Sequence, residues 1–383
     1  MVHPFSLPAV NYYGKGALMN LGSELKKNAV KKVFLISDKG LKSSGILDQV
    51  HEQLDKTEVI EYVNVEREPS VENVEDALRE FKNSGCDAVI GVGGGSPLDV
   101  AKGVSVMANN EGSLLDYVGV QLIPNPGVFN ILIPTTAGTG AEITQNAIFT
   151  DKSAKMKKGI VSRYLIPNVA IVDSNLTISV PAAITAATGM DALTHAIESY
   201  TAPKANVQTE MYAIKSIELI GQYLRTAVSY GKDESAREAM ALASVFAGIS
   251  LANAGVGAVH AMAYPLGGRY GVNHGIANAT LLPYVMEFNV LGNIQKFKNV
   301  AIALGESTEG KTDREVAFLA VKAVKRLSQD VGIPQTLTEL GVDKGSVDAM
   351  AEGAMQAARL IDNNPRQIGL EDIKSIFNKM FEV

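Results

Sequence analysis

The sequence predicts an α/β N-terminal domain built on a parallel sheet, followed by an all-α C-terminal domain that holds a metal ion. Three observations predict it. Short apolar runs ending in turn residues alternate with helical periodicities through the first half of the chain. Strand signals stop after Pro181. In the second half, an Asp and three histidines fall where helices and a glycine turn can bring them to one ion. The division is placed at residues 1–180 and 181–383, near Asp173-Ser174-Asn175-Leu176 and Pro181.

A chain of 383 residues, 46% hydrophobic and 20% charged, is long enough for two ordinary domains with large cores. A net charge of −6 offers no basic excess to neutralise phosphates, which argues against nucleic acid as a general partner. The single cysteine, Cys86, excludes an intramolecular disulfide and suits a reducing compartment. Neither a secretory signal around Met1-Val2-His3-Pro4-Phe5 nor an apolar run of bilayer-spanning length is visible. A cytoplasmic protein without a membrane partner is expected.

The run 33–37 reads as a buried strand that ends at Asp38-Lys39-Gly40. Helical spacing follows over 71–83, carried by Val71, Val74, Ala77, Leu78 and Phe81. A second buried strand over 88–92 runs into Gly93-Gly94-Gly95-Ser96 and a helix from about Pro97 to Ala108. A third strand over 128–133 runs into Pro134-Thr135-Thr136-Ala137-Gly138-Thr139-Gly140. Alternating strands and helices imply a parallel sheet covered on both faces, with ligands beyond the carboxyl ends of its strands. Asp38, the glycine loop and the threonine loop all fall at such ends.

Glycines without a Cβ let the backbone approach a bulky anion, and the next helix aims its free N–H groups at it. The loop is not the common dinucleotide fingerprint. It lacks the third glycine of G-x-G-x-x-G, and its acidic strand end, Asp38, precedes the loop. It therefore points to a pyrophosphate binder of another kind, set against the plainer reading of a tight strand-to-helix turn. Asp38 is suited to the two hydroxyls of an adenosine ribose and would repel a 2′-phosphate, favouring NAD over NADP. It is equally suited to capping a helix. Residues 148–150 and 159–161 read as a hairpin around Asp151-Lys152-Ser153, and one of Lys155, Lys157 and Lys158 is expected near phosphate.

After Pro181, the stretches 182–200, 207–224, 234–253, 314–328 and 370–381 read as helices, and 240–258 as buried helix. Asp191 and His195 stand four residues apart, one above the other on one helix face. The chain has five histidines, and two of them, His260 and His274, lie in one glycine-rich block. His260 is placed in a helix ending near Gly267-Gly268, and His274 after the cap residue Asn273. One carboxylate and three imidazoles suit Fe²⁺ or Zn²⁺ with a position left open for substrate.

These motifs together resemble the iron-containing (group III) alcohol dehydrogenases over essentially the full chain. The matching stretches are residues 93–99, 134–140, 189–196, 260–274 and Asn364-Pro365-Arg366. The resemblance implies that Asp191, His195, His260 and His274 hold one divalent metal, Fe²⁺ before Zn²⁺. It implies NAD contacts from Asp38, Gly94, Gly95, Ser96, Thr135, Thr136, Thr139, Thr144 and Lys157, and a homodimer or larger homo-oligomer. Many relatives carry a second histidine where this chain has Tyr264. A phenol titrates near pH 10, so Tyr264 is placed beside the site as a hydrogen-bond donor or pocket wall rather than a proton store.

The activity so implied is reversible hydride transfer between a primary alcohol, or its aldehyde, and NAD, with the metal as Lewis acid. An alternative within the family is reduction of an acidic aldehyde or hydroxy acid carrying a carboxylate, sulfonate or phosphonate. Arg269 and Tyr264 would serve it, against the plainer reading of Arg269 as an exposed turn residue. A metal-dependent hydrolase or a nucleotide sensor would each leave one of the two motif sets unexplained.

Overall fold

The computed structural model describes residues 4–54, 56–153 and 156–381. The chain forms two compact units, Phe5–Ser179 and the chain from Val180 onward.

The first unit carries strands β1 (Val10–Tyr13), β2 (Lys32–Ile36), β3 (Glu58–Tyr62), β4 (Ala88–Gly93), β5 (Gly119–Val120), β6 (Phe129–Pro134), β7 (Asn146–Asp151), β8 (Met156–Val161) and β9 (Val169–Val172). Its helices are α1 (Leu21–Lys27), α2 (Lys39–Ser43), α3 (Ile46–His51), α4 (Val71–Ser84) and α5 (Gly95–Met107). Six strands form one sheet in the order β1-β9-β6-β4-β2-β3, and every pairing in it is parallel. Side chains alternate across a strand, so a sheet covered on both faces feeds two cores. Phe34 and Ile36 of β2 pack with Val89 and Leu132 on one side. Val33 and Leu35 pack with Ile90 and Ile131 on the other. Burying each of these apolar side chains is worth about 1.5–3 kcal/mol, which is why β2, β4 and β6 read so clearly as apolar runs.

The expected hairpin is present. β7 and β8 pair antiparallel, and β5 joins β8 in parallel to complete a second, three-stranded sheet. β1, β3 and β5 carry weaker patterns, and β9 is apolar and buried but only four residues long, so all four escape the reading by apolar runs.

The second unit is helical. It contains α6 (Ala182–Thr201), α7 (Val207–Ser229), α8 (Glu234–Ala254), α9 (Ala258–Tyr270), α10 (His274–Asn289), α11 (Ile294–Ala303), α12 (Asp313–Asp330), α13 (Val347–Met355), α14 (Ala358–Ile361) and α15 (Leu370–Lys379). Several boundaries differ from the sequence reading; α7, expected to end at Leu224, runs on to Ser229. The helix expected through Ala258 breaks at 255–257, where Gly255 takes φ 76°. The helix carrying His260 runs through Gly267-Gly268 and stops at Gly271, whose φ of 64° is left-handed and favours glycine. Among the described residues, no single helix is long and apolar enough to cross a membrane.

Candidate functional site

In the second unit, α6 is buried along most of its length. Gly189 lets α6 approach its neighbours closely: a Cβ there would fall 2.3 Å from Leu224 Cδ1. Asp191, His195 and Glu198 follow at i, i+4 and i+7, so they share one face. The face of α6 meets α9 and α10. His260 lies in the first turn of α9, and its ring stacks on His195 with centroids 4.9 Å apart. The His274 ring meets His260 edge-on at 5.4 Å. Asn273 caps α10 by accepting Ile276 N–H at 3.4 Å, which sets His274 at the helix start. Gly275 makes the approach of α10 to α6 possible, since a Cβ there would fall 2.6 Å from the Ala187 carbonyl oxygen.

Ligand atoms of Asp191, His195 and His260 lie within 4.8 Å of one another, and all three residues are buried. Burial alone would raise the Asp191 carboxyl. The histidines His195, His274 and His260, with the Asn278 amide, outweigh it and hold the carboxyl below its ordinary value. The site therefore keeps an ionised carboxylate among imidazoles, as a divalent cation requires.

Residues beyond the four proposed ligands complete the surroundings. Glu198 Oε2 lies 2.5 Å from His260 Nδ1, and Glu198 Oε1 accepts Val259 N–H at 2.7 Å. A carboxylate on Nδ1 fixes the tautomer and leaves the Nε2 lone pair to a metal. The i+7 spacing from Asp191 was the signal that could have found it. Asn363 Nδ2 donates to the Ala254 and Val256 carbonyls, both at 3.0 Å. Asn364 exchanges side-chain hydrogen bonds with Asn289 at 2.7 and 2.8 Å. The Asn-Asn-Pro-Arg stretch thus braces the turn that delivers Val259 and His260.

Tyr264 sits one turn after His260 and is partly buried. Burial pushes its phenol up, Glu198 adds to this, and Arg359 opposes it. At neutral pH it is a donor. Arg269 is exposed in the last turn of α9, in keeping with its plainer reading.

In the first unit, the glycine and threonine loops meet. Thr135 N–H donates to the Gly93 carbonyl at 2.9 Å. A Cβ on Gly95 would fall 2.9 Å from Thr139 Cγ2, and one on Gly94 3.6 Å from Thr136 Oγ1. Gly95 opens α5, so the free N–H groups of a 13-residue helix stand at this junction. Asp38 caps α2 by accepting Leu41 N–H at 3.0 Å, so capping is one of its roles. The Ser96 hydroxyl donates to the Arg67 carbonyl at 2.6 Å. Lys157 pairs with Glu68 at 2.6 Å. Lys155 lies outside the described residues.

Beneath the loops lies a buried charge cluster. The Lys102 ammonium, fully buried, donates to the Thr144 carbonyl at 2.9 Å, the Thr144 hydroxyl at 3.1 Å and the Asn146 carbonyl at 2.8 Å. It pins α5 to the segment after the threonine loop. Burial lowers Lys102 to about 8 and raises Glu142 to about 7.

A sequence profile described as iron-containing alcohol dehydrogenase matches residues 8–174, and one described as Fe-containing alcohol dehydrogenase family, C-terminal, matches 185–381. The chain belongs to the iron-containing alcohol dehydrogenase family. Among curated relatives of this alcohol dehydrogenase, 1,3-propanediol dehydrogenase of Citrobacter freundii is 42% identical over 98% of both chains. Lactaldehyde reductase of Escherichia coli strain K12 is 38% identical over 99% of both. The crystal structure of a 1,3-propanediol oxidoreductase superposes with a TM-score of 0.97 at 41% identity over the whole of both chains. This iron-containing alcohol dehydrogenase is thus an oxidoreductase acting on CH–OH groups, and its family binds a metal and NAD(H).

Proposed function

We propose that the chain is a metal-dependent, NAD-linked dehydrogenase that interconverts a small primary alcohol and its aldehyde. One observation carries the reading: ionised Asp191 converges with His195 and His260, and the Glu198 carboxylate sets the His260 tautomer. The donor set of one carboxylate and three imidazoles, counting His274, suits Fe²⁺ or Zn²⁺, and membership of an iron-containing family puts Fe²⁺ first. A cation held there supplies Lewis acidity toward a substrate oxygen. The protein's own part is to keep Asp191 charged, to orient His260 through Glu198, and to seat the Tyr264 phenol as a donor. Residues 181–383 are assigned the metal and 1–180 the nucleotide.

For the nucleotide, Gly94, Gly95 and Ser96 at the start of α5 offer backbone N–H groups to a pyrophosphate, with Thr135, Thr136 and Thr139 as neighbours. Thr144 supports that loop through Lys102, and Lys157 adds positive charge. Asp38 favours NAD over NADP. Relatives named for 1,3-propanediol and lactaldehyde act on uncharged compounds, so the acidic-substrate alternative is not favoured. A homodimer or larger assembly is expected in the cytoplasm.

The test is NADH oxidation at 340 nm with short, long and carboxylate-bearing aldehydes. Chelator-treated protein is assayed anaerobically with Fe²⁺, Zn²⁺ or no addition. Metal-dependent turnover of uncharged aldehydes is expected. Turnover without metal, or with anionic aldehydes alone, would overturn the reading.

A further inference from the structure

Residues 66–70 run beside the start of α5 and are anchored there. The Ser96 hydroxyl donates to the Arg67 carbonyl at 2.6 Å, and Thr150 N–H donates to the Pro69 carbonyl at 2.8 Å. Glu68 stands between these two anchors. Its carboxylate pairs with the Lys157 ammonium at 2.6 Å. The partners are unequally exposed: 16% of the Lys157 side chain reaches solvent, against 45% of Glu68. An ammonium largely withdrawn from water needs a partner, whereas a half-exposed carboxylate can turn out into water at little cost. The adjacent pair is built differently. Glu66 meets Lys152 at 2.8 Å and also accepts Ser70 N–H at 3.2 Å, so it helps to shape the loop. Among the described residues, Glu68 has no partner besides Lys157. Lys157 in turn reaches the start of α5 electrostatically. Burial raises the Asp99 carboxyl to about 6, against the pull of Lys102, of Ile148 N–H and of Lys157.

We propose that Glu68 is an exchangeable counter-ion for Lys157, which it holds until a phosphate of the dinucleotide takes its place. The inference rests on the nucleotide reading given above, in which the start of α5 receives a pyrophosphate and Lys157 adds positive charge. One ammonium cannot serve two anions fully, so a bound nucleotide displaces Glu68 or shares Lys157 with it. Glu68 therefore holds nucleotide affinity down. Removing its charge leaves Lys157 wholly to the nucleotide and tightens binding. A residue that only braced the loop would loosen the site on removal and weaken binding, so the sign of the effect separates the two roles. Weaker binding has a use in turnover, because release of product limits the rate of many enzymes.

The probe is NADH, whose binding to the Zn²⁺-loaded protein is followed by nucleotide fluorescence at low and at high salt. The proteins are wild type, E68Q, K157M and E68Q/K157M. E68Q is expected to lower the Kd for NADH about 2- to 5-fold at low salt, the range of one exposed ion pair, with a smaller gain at high salt. In the K157M background the same change is expected to move Kd by less than about 1.5-fold, since no ammonium remains to be released. E68N replaces E68Q should that variant fail to fold. An unchanged or raised Kd in E68Q would overturn the proposal and leave Glu68 as a brace for its loop. The full gain persisting without Lys157 would also overturn it, as direct repulsion between Glu68 and the nucleotide. Equal Kd with and without Lys157 in both backgrounds would remove the lysine and this proposal, while the nucleotide reading stands. Absence of NADH binding by wild type would remove the nucleotide reading and this proposal together.

Discussion

Glu198 and His260 are joined by a 2.5 Å contact between Oε2 and Nδ1, across 62 residues of sequence and between two helices. Both side chains are almost fully buried. Glu198→Gln keeps the shape but removes the carboxylate that makes Nε2 basic. Metal affinity is expected to fall about 10- to 100-fold. Competition between Zn²⁺ and a chromophoric chelator measures it. Unchanged affinity would leave Glu198 as a brace for Val259 alone.

His260→Ala removes a proposed ligand outright. The purified variant should lose its metal content, measured by elemental analysis, and its turnover should fall by at least ~10³-fold. NADH binding, followed by nucleotide fluorescence, should stay within about threefold of wild type, because the proposed nucleotide loops belong to the other unit. A variant with full metal content and activity would remove His260 from the site.

What the sequence made legible follows from the range of each signal. β2, β4 and β6 are buried on both faces, so their apolar runs are dense, whereas β1 is partly exposed and set by pairing with distant β9, and β9, though apolar and buried, is only four residues long. Asp191 and His195 announce themselves by local spacing on one helix. Glu198 shares that face, but its purpose appears only once α9 places His260 Nδ1 against it. Asn278 and Lys102 are of the same kind. A buried amide or ammonium in a helix is weakly marked in sequence, because Asp191 lies 87 residues from Asn278 and Thr144 lies 42 from Lys102. The stop of α9 was misplaced for a physical reason. Gly267 and Gly268 are compatible with helix at modest cost, while the left-handed conformation that ends it falls on Gly271.

Asp38 stands at the end of β2, caps α2 and is proposed to exclude a 2′-phosphate. Asp38→Gly should raise the ratio of kcat/KM for NADPH to that for NADH by about tenfold or more, since one like-charge repulsion of ~1.4 kcal/mol corresponds to a factor of ten. Glycine still serves as a helix cap at small cost, so the fold should persist. Steady-state kinetics with both nucleotides decide it, and an unchanged ratio would leave Asp38 as a cap.

Glu142 supplies a stability prediction with a definite sign. Burial raises its carboxyl from 4.5 to about 7 in the folded protein, against the smaller opposing pull of its own backbone N–H and of Lys102. Below pH 4.5 the folded and unfolded chains both hold the proton. Between 4.5 and about 7 the folded protein keeps a proton that the unfolded chain has lost, so stability falls as pH rises through this window. Above about 7 both forms are ionised and this contribution levels off. Each pH unit of the window is worth about 1.4 kcal/mol, giving a loss of roughly 3 kcal/mol by neutral pH. Glu142→Gln cannot titrate and should lack that loss. Urea unfolding at pH 5 and pH 7.5 should therefore show wild type losing stability relative to Glu142→Gln on going to the higher pH. Lys102 does not mask the effect, because its ammonium, lowered by burial to about 8, remains charged across the window in both states. Parallel pH profiles for the two proteins would mean that Glu142 ionises in the folded state at its ordinary value.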